Sequence, residues 1–205
     1  MARVDDYVAA RGLSVSSLST EKITGISERS GFEVTGEGAF EVPFLNRKFR
    51  ISFPEFIFTD LSDPEKEIPI QEQVLILHYM KGKGIDGSGG SWIAYREIPG
   101  ASFYFSSFVK RAIDPLKKVF GNNIETLKRV SILLGGASIK EGDAGFEFLL
   151  FPKVPLRLIL WAGDEEFPPE ANILFLPSIA GFLSPEDVAW LSGMLVYRLI
   201  SLSYQ

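Results

Sequence analysis

The chain contains no cysteine. That absence removes disulfides, thiolate zinc sites, cysteine-held iron–sulfur clusters and thiol nucleophiles together. There is a single histidine, His78, so metal motifs built on paired histidines are excluded as well. No G-x-S-x-G elbow is present to set a nucleophilic serine beside that histidine. The opening MARVDDYVAARG has acids at Asp5 and Asp6 and no apolar run, which does not read as a secretory signal. The longest strongly apolar stretch, VAWLSGMLVYRLISL, is shorter than the roughly 20 residues a bilayer span needs and carries Arg198. The expectation is a soluble, cytoplasmic protein. Internal repeats and long Pro/Ser/Gly linkers are absent too, so nothing in the writing marks a domain boundary.

One further absence is local. Between Arg157 and Arg198 there is no basic residue, while Asp164, Glu165, Glu166, Glu170, Glu186 and Asp187 all fall in that window. The net charge of the whole chain is -5, so the remainder is close to balanced and the negative charge is regional. With a pI near 5.1 and no basic cluster, nucleic acid is not an expected partner.

What is present is enough apolar material for a core. The 205 residues are 46% hydrophobic and include 17 Phe, which suits one compact domain rather than a disordered chain. Residues 1–30 are poorly patterned and Ser/Thr-rich, and read as a short helix followed by loose loop; 31–205 read as a single α+β domain. In FRISFPEFIF the apolar Phe49, Ile51 and Phe53 alternate with Arg50 and Ser52, giving a strand that Pro54 stops. IPIQEQVLILHYMKGKG reads as a helix with Pro69 in its first turn and glycines beyond its last, with a buried strand over VLILHYM as the alternative. WIAYREI alternates as a strand, and YFSSFVKRAIDPLKKVFG keeps helical spacing up to and past Asp114-Pro115, where proline predicts a kink or break. NNIETLKRVSILLGG is a helix with Asn122 as cap, Glu125 three residues on and Gly135-Gly136 as stop. FEFLLF, LRLILW and NILFL predict a three-stranded antiparallel meander over 146–176. The last helix is the best signed: Ser184 caps it, Pro185 is its first residue, Asp187 closes a capping box, and Leu183 with Val188 forms a staple. Strands and helices occur in groups, so the expected fold is α+β. An antiparallel sheet, made of the meander plus N-terminal strands, should pack against about four helices, the long one at the C-terminus.

Two motif matches fail on context. GKGIDG, 82–87, has the spacing of a dinucleotide fingerprint, but a helix precedes it and a strand follows, the reverse of what a pyrophosphate site needs. SFVK, 107–110, has S-x-x-K spacing without the partner motifs of penicillin-recognising enzymes. The stretch LWAGDEEFPPEANILF is the stronger candidate. Asp164, Glu165 and Glu166 lie between two apolar strands with Trp161 and Phe167 beside them; the readings are a solvated proline-stiffened turn, a partner or ligand face, or a cation loop. Three consecutive acids do not form the ladder of a calcium loop, so no metal is expected. A second candidate is a pocket around His78 with Trp92, Glu97 and Tyr104, in which the imidazole would act as a base or ligand. A histidine hydrogen-bonded at the core edge is the plainer reading.

Several phrases in order, LILHYM, WIAYREIPGASFY, IDPLKKVFG, LWAGDEEFPPEANILF and LSPEDV, resemble the domain-of-unknown-function family numbered 3786 of anaerobic bacteria and archaea, over roughly residues 30 to 203. The resemblance implies a setting in anaerobic metabolism, near one-carbon or corrinoid chemistry, but no transferable catalytic residues. The cysteine-rich iron–sulfur segment of some members cannot be carried over to a chain without cysteine. The expectation is therefore a non-catalytic accessory domain, without a cofactor, that presents its acidic loop to an unidentified protein or small molecule. The rival readings are an enzyme or corrinoid-handling protein using His78 and nearby carboxylates, and an assembly role for the closing helix. The oligomeric state is left open.

Overall fold

A computed structural model describes residues 4–84 and 90–205. The fold is α+β, with two antiparallel sheets where the sequence suggested one. Contacts divide the chain into two units: 1–86 with 151–153 and 181–183, and 87–150 with 154–180 and 184–205. The GKGIDG stretch lies partly outside the described residues.

The first unit begins with helices α1 (Val4–Leu18) and α2 (Ile23–Ser30), both of which lie against α3 (Ile70–Lys81). This corrects the expectation of a short helix and loose loop. The serines that blur the apolar pattern are used locally: the Ser30 hydroxyl, fully buried, donates to the Ile26 carbonyl at 2.7 Å. A hydroxyl that bonds its own preceding turn can be buried without an orphan donor. Gly31, in the left-handed region at φ 76°, then ends α2.

Four strands follow as a meander in the order β1 (Glu33–Thr35), β2 (Ala39–Phe44), β3 (Arg47–Ser52) and β4 (Phe58–Asp60). Phe40 and Val42 of β2 pair with Ile51 and Phe49 of β3, and all four are buried. The opposite face carries Glu33, Glu41, Lys48 and Arg50, as period-two alternation requires. α3 starts after Pro69, which stands at its N-cap rather than inside its first turn, and ends at Gly82. Inside this unit the Tyr79 ring stacks on Phe151 at 4.3 Å between centroids and tilts against Phe182 at 5.3 Å. Its hydroxyl donates to the Ser30 carbonyl at 2.5 Å, and burial pushes its pKa up.

The second unit holds the other sheet, in the order β5 (Ile93–Ala94), β9 (Glu170–Phe175), β8 (Val154–Trp161), β7 (Ala144–Phe151), β6 (Ala137–Ile139). The predicted meander is its centre. WIAYREI, expected as a strand, keeps only two strand residues: Glu97 reaches back to accept the Ala94 N–H at 2.6 Å, and Tyr95–Glu97 close into a 3-10 turn. The Tyr95 ring stacks on Phe108 at 4.1 Å, a gain the strand periodicity did not anticipate.

α4 (Phe105–Phe108) passes into a π-helical turn, Val109–Ile113, and then α5 (Asp114–Phe120). The predicted disruption at Pro115 takes this form. Proline would remove one hydrogen bond and crowd the carbonyl four residues back, and the widened turn, with Asp114 N–H bonded to the Val109 carbonyl, carries the helix through. α6 (Ile124–Leu133) has Asn123 at its N-cap instead of Asn122, and no side chain caps it. α7 (Pro185–Ser203) has the predicted capping box, with the Ser184 hydroxyl accepting from Asp187 N–H. Val188, Leu191, Leu195 and Leu199 of α7 are fully buried, and Leu202 in its last turn is half-buried.

Candidate functional site

Trp161 and Glu170 are paired residues at the ends of β8 and β9, so the acidic stretch is the connection between two paired strands. Its backbone is anchored at each turn. Ala162 N–H donates to Asp143 Oδ2 at 2.7 Å, and Gly163 N–H donates to the Gly121 carbonyl at 3.1 Å. Asp164 Oδ1 accepts from the N–H groups of Glu166, at 2.8 Å, and Phe167, at 2.7 Å, while Asp164 N–H donates to the Phe167 carbonyl at 2.9 Å. A short carboxylate doing this is an Asx turn closed on itself. Those donors, Phe167 first and then Glu166, hold the Asp164 carboxyl below its usual pKa.

Pro169 packs on the glycines that approach the loop. A Cβ at Gly163 would lie 2.8 Å from Pro169 Cδ, and one at Gly121 would collide with Pro169 Cγ and the Lys117 carbonyl. Lys117 of α5 also pairs with Glu170 at 3.2 Å. The connection is thus bound to the end of α5, to Asp143 and to itself. What it leaves outward is Glu165 and Glu166, both exposed, with Phe167 at 67% and Trp161 at 43% exposure. Among the described residues no three His, Asp or Glu side chains are grouped as a metal ion would require.

The residues that fix this loop, Asp143, Gly121 and Lys117, were not singled out in the sequence. They lie far from 161–170 in the chain, and the only local sign was a glycine following a helix.

The second candidate set is distributed. His78 is half-buried on α3 in the first unit; Trp92, Glu97 and Tyr104 belong to the second. Each of the latter three has a local partner. Trp92 lies under the Arg157 guanidinium at 4.3 Å, and that guanidinium also bonds Glu147 and Glu141 at 3.0 Å. Glu97 holds the Ala94 turn. Tyr104 sits beside the Glu186 carboxylate, which raises its pKa. Deeper in the same region, burial raises the Tyr95 hydroxyl to about 12, against the pull of Arg111, and it donates to the Pro185 carbonyl at 2.6 Å.

The architecture is that of an α+β protein with a meander in each sheet and a fixed, charged connection at the end of one meander. Comparison by family model places the chain: the model of a domain of unknown function (DUF3786) matches residues 22–198, and the protein belongs to that family. No curated protein and no solved structure matches it. No described helix is long and apolar enough to cross a membrane.

Proposed function

We propose that this chain is a cytoplasmic, non-catalytic binding domain whose β8–β9 connection engages a basic surface on a partner protein, in the anaerobic setting that the family resemblance implies. One observation carries the reading. The loop spends Asp164 and its backbone on holding its own shape, and displays Glu165, Glu166, Trp161 and Phe167 unburied. Exposed carboxylates steer encounter with a cationic face, and aromatic side chains in a fixed frame supply contact area with little further ordering. The absence of any basic residue from 158 to 197 leaves this region's field unopposed by its own sequence neighbours.

The test is affinity capture with the full chain from its native lysate, alongside two variants. Glu165→Gln with Glu166→Gln should lower the capture rate and remove most of its salt dependence, because both charges are solvated and outside the turn's own bonds. Phe167→Ala should weaken capture at least about tenfold, since an aromatic anchor commonly contributes more than about 1.4 kcal/mol. Recovery of an identical set of proteins, in identical yield, by all three chains would overturn the proposal.

A further inference from the structure

The polar face of the first sheet contains a groove of about 400 Å³, lined by Thr35, Gly36, Glu37, Glu41, Arg50 and Leu61. Its floor is a cross-strand pair, Glu41 opposite Arg50. Glu41 is already engaged by Lys48 at 2.7 Å. Arg50 is instead answered by Glu37, which reaches down from the β1–β2 turn to form an ion pair with it. That pair is open to water, with side-chain exposures of 42% for Arg50 and 74% for Glu37.

Two features make the pair separable. An exposed ion pair contributes little to stability, so parting it costs little. Glu37 also stands between Gly36 and Gly38, and at neither glycine does any neighbouring atom come within 4 Å of where a Cβ would be. The turn that carries Glu37 therefore has glycine freedom on both sides and open space around it.

We propose that the groove binds a free α-amino acid, which inserts between Arg50 and Glu37. The carboxylate of the ligand takes the guanidinium in the paired geometry that arginine offers, and its ammonium takes the Glu37 carboxylate. Both charges freed by opening the pair are then answered by one small zwitterion. An anion alone would leave Glu37 uncompensated beside Glu41, and a cation alone would face Arg50. Leu61, 46% exposed, gives the side chain of the ligand an apolar wall, which favours an aliphatic amino acid.

The experiment is an amide-resonance titration of the isotope-labelled full chain with leucine, and with the two compounds that each lack one of its charges, isocaproate and isoamylamine. Leucine is expected to give saturable shifts confined to Thr35, Gly36 and Leu61 and their strand neighbours, with neither control matching it. Glu37→Gln, a change in an exposed turn, should weaken leucine about two- to fivefold, the worth of one exposed ion pair, with an otherwise unchanged spectrum, and Arg50→Gln likewise. Equal binding of isocaproate would make this an anion site at Arg50 and overturn the proposal, as would equal binding of isoamylamine. Absence of leucine-induced shifts at tens of millimolar would overturn it too.

Discussion

Arg47 shows how much can rest on one side chain. It is only 9% exposed and lies against two carboxylates, Asp60 at 3.7 Å and the Glu72 side chain, with its guanidinium over the Phe49 ring at 4.7 Å. Removing the cation from such a group leaves buried negative charge unanswered, so Arg47→Met should lower stability by roughly 3 kcal/mol or more in denaturant unfolding. Asp60 gives the pH dependence. Burial works to raise its pKa, but the Ser62 hydroxyl and N–H, with Arg47 and Lys66, outweigh it and hold the carboxyl below its ordinary value. A carboxyl depressed in the folded state stabilises above its unfolded pKa, and that contribution is lost as pH falls through the folded one. Asp60→Asn should therefore be the less stable protein at neutral pH, and the gap to wild type should close on acidification through that window; equal stability at every pH would contradict this. Neither residue was marked in the sequence. Nothing near Arg47 in the chain singles it out, because its carboxylate partners come from β4 and α3.

Elements were legible where their signals were local. The α7 capping box and the strand meander were read correctly because Ser184, Asp187 and the short apolar runs with their turn in 146–176 act within a few residues. WIAYREI failed for the opposite reason: its alternation was real, but Tyr95 stacks on Phe108, and Glu97 bonds Ala94, in place of a longer strand. The acidic connection was legible as a proline-stiffened loop, but its anchors were not, since they sit on α5 and at Asp143. Gly121 tests that anchoring. Gly121→Ala would force apart Pro169 and the end of α5, and we expect a loss of about 1–3 kcal/mol in thermal unfolding together with faster proteolysis within 162–169. A stable variant with an equally resistant loop would mean that Pro169 does not brace it.

For the whole molecule, the grouping of strands and helices along the chain predicted α+β correctly but could not assign the strands to two sheets, because sheet membership is decided by pairing between distant segments. The first unit shows the point most clearly, since it is completed by residues 151–153 and 181–183. Phe32, Phe44 and Tyr79 each set a ring against Phe151. A fragment ending at residue 90 would leave those rings without that neighbour. It should bind a hydrophobic dye and give poorly dispersed amide resonances, whereas the full chain should do neither. A well-dispersed, dye-negative fragment would show that the first ninety residues need no distant help.

The shape of the β8–β9 connection is settled by bonds that it makes with its own backbone and with α5. Its conformational search is therefore finished when the chain folds, and a partner of the proposed kind would meet a template rather than a coil. Recognition there should resemble a key meeting a cut lock, quick to form and intolerant of a misplaced charge on the visitor.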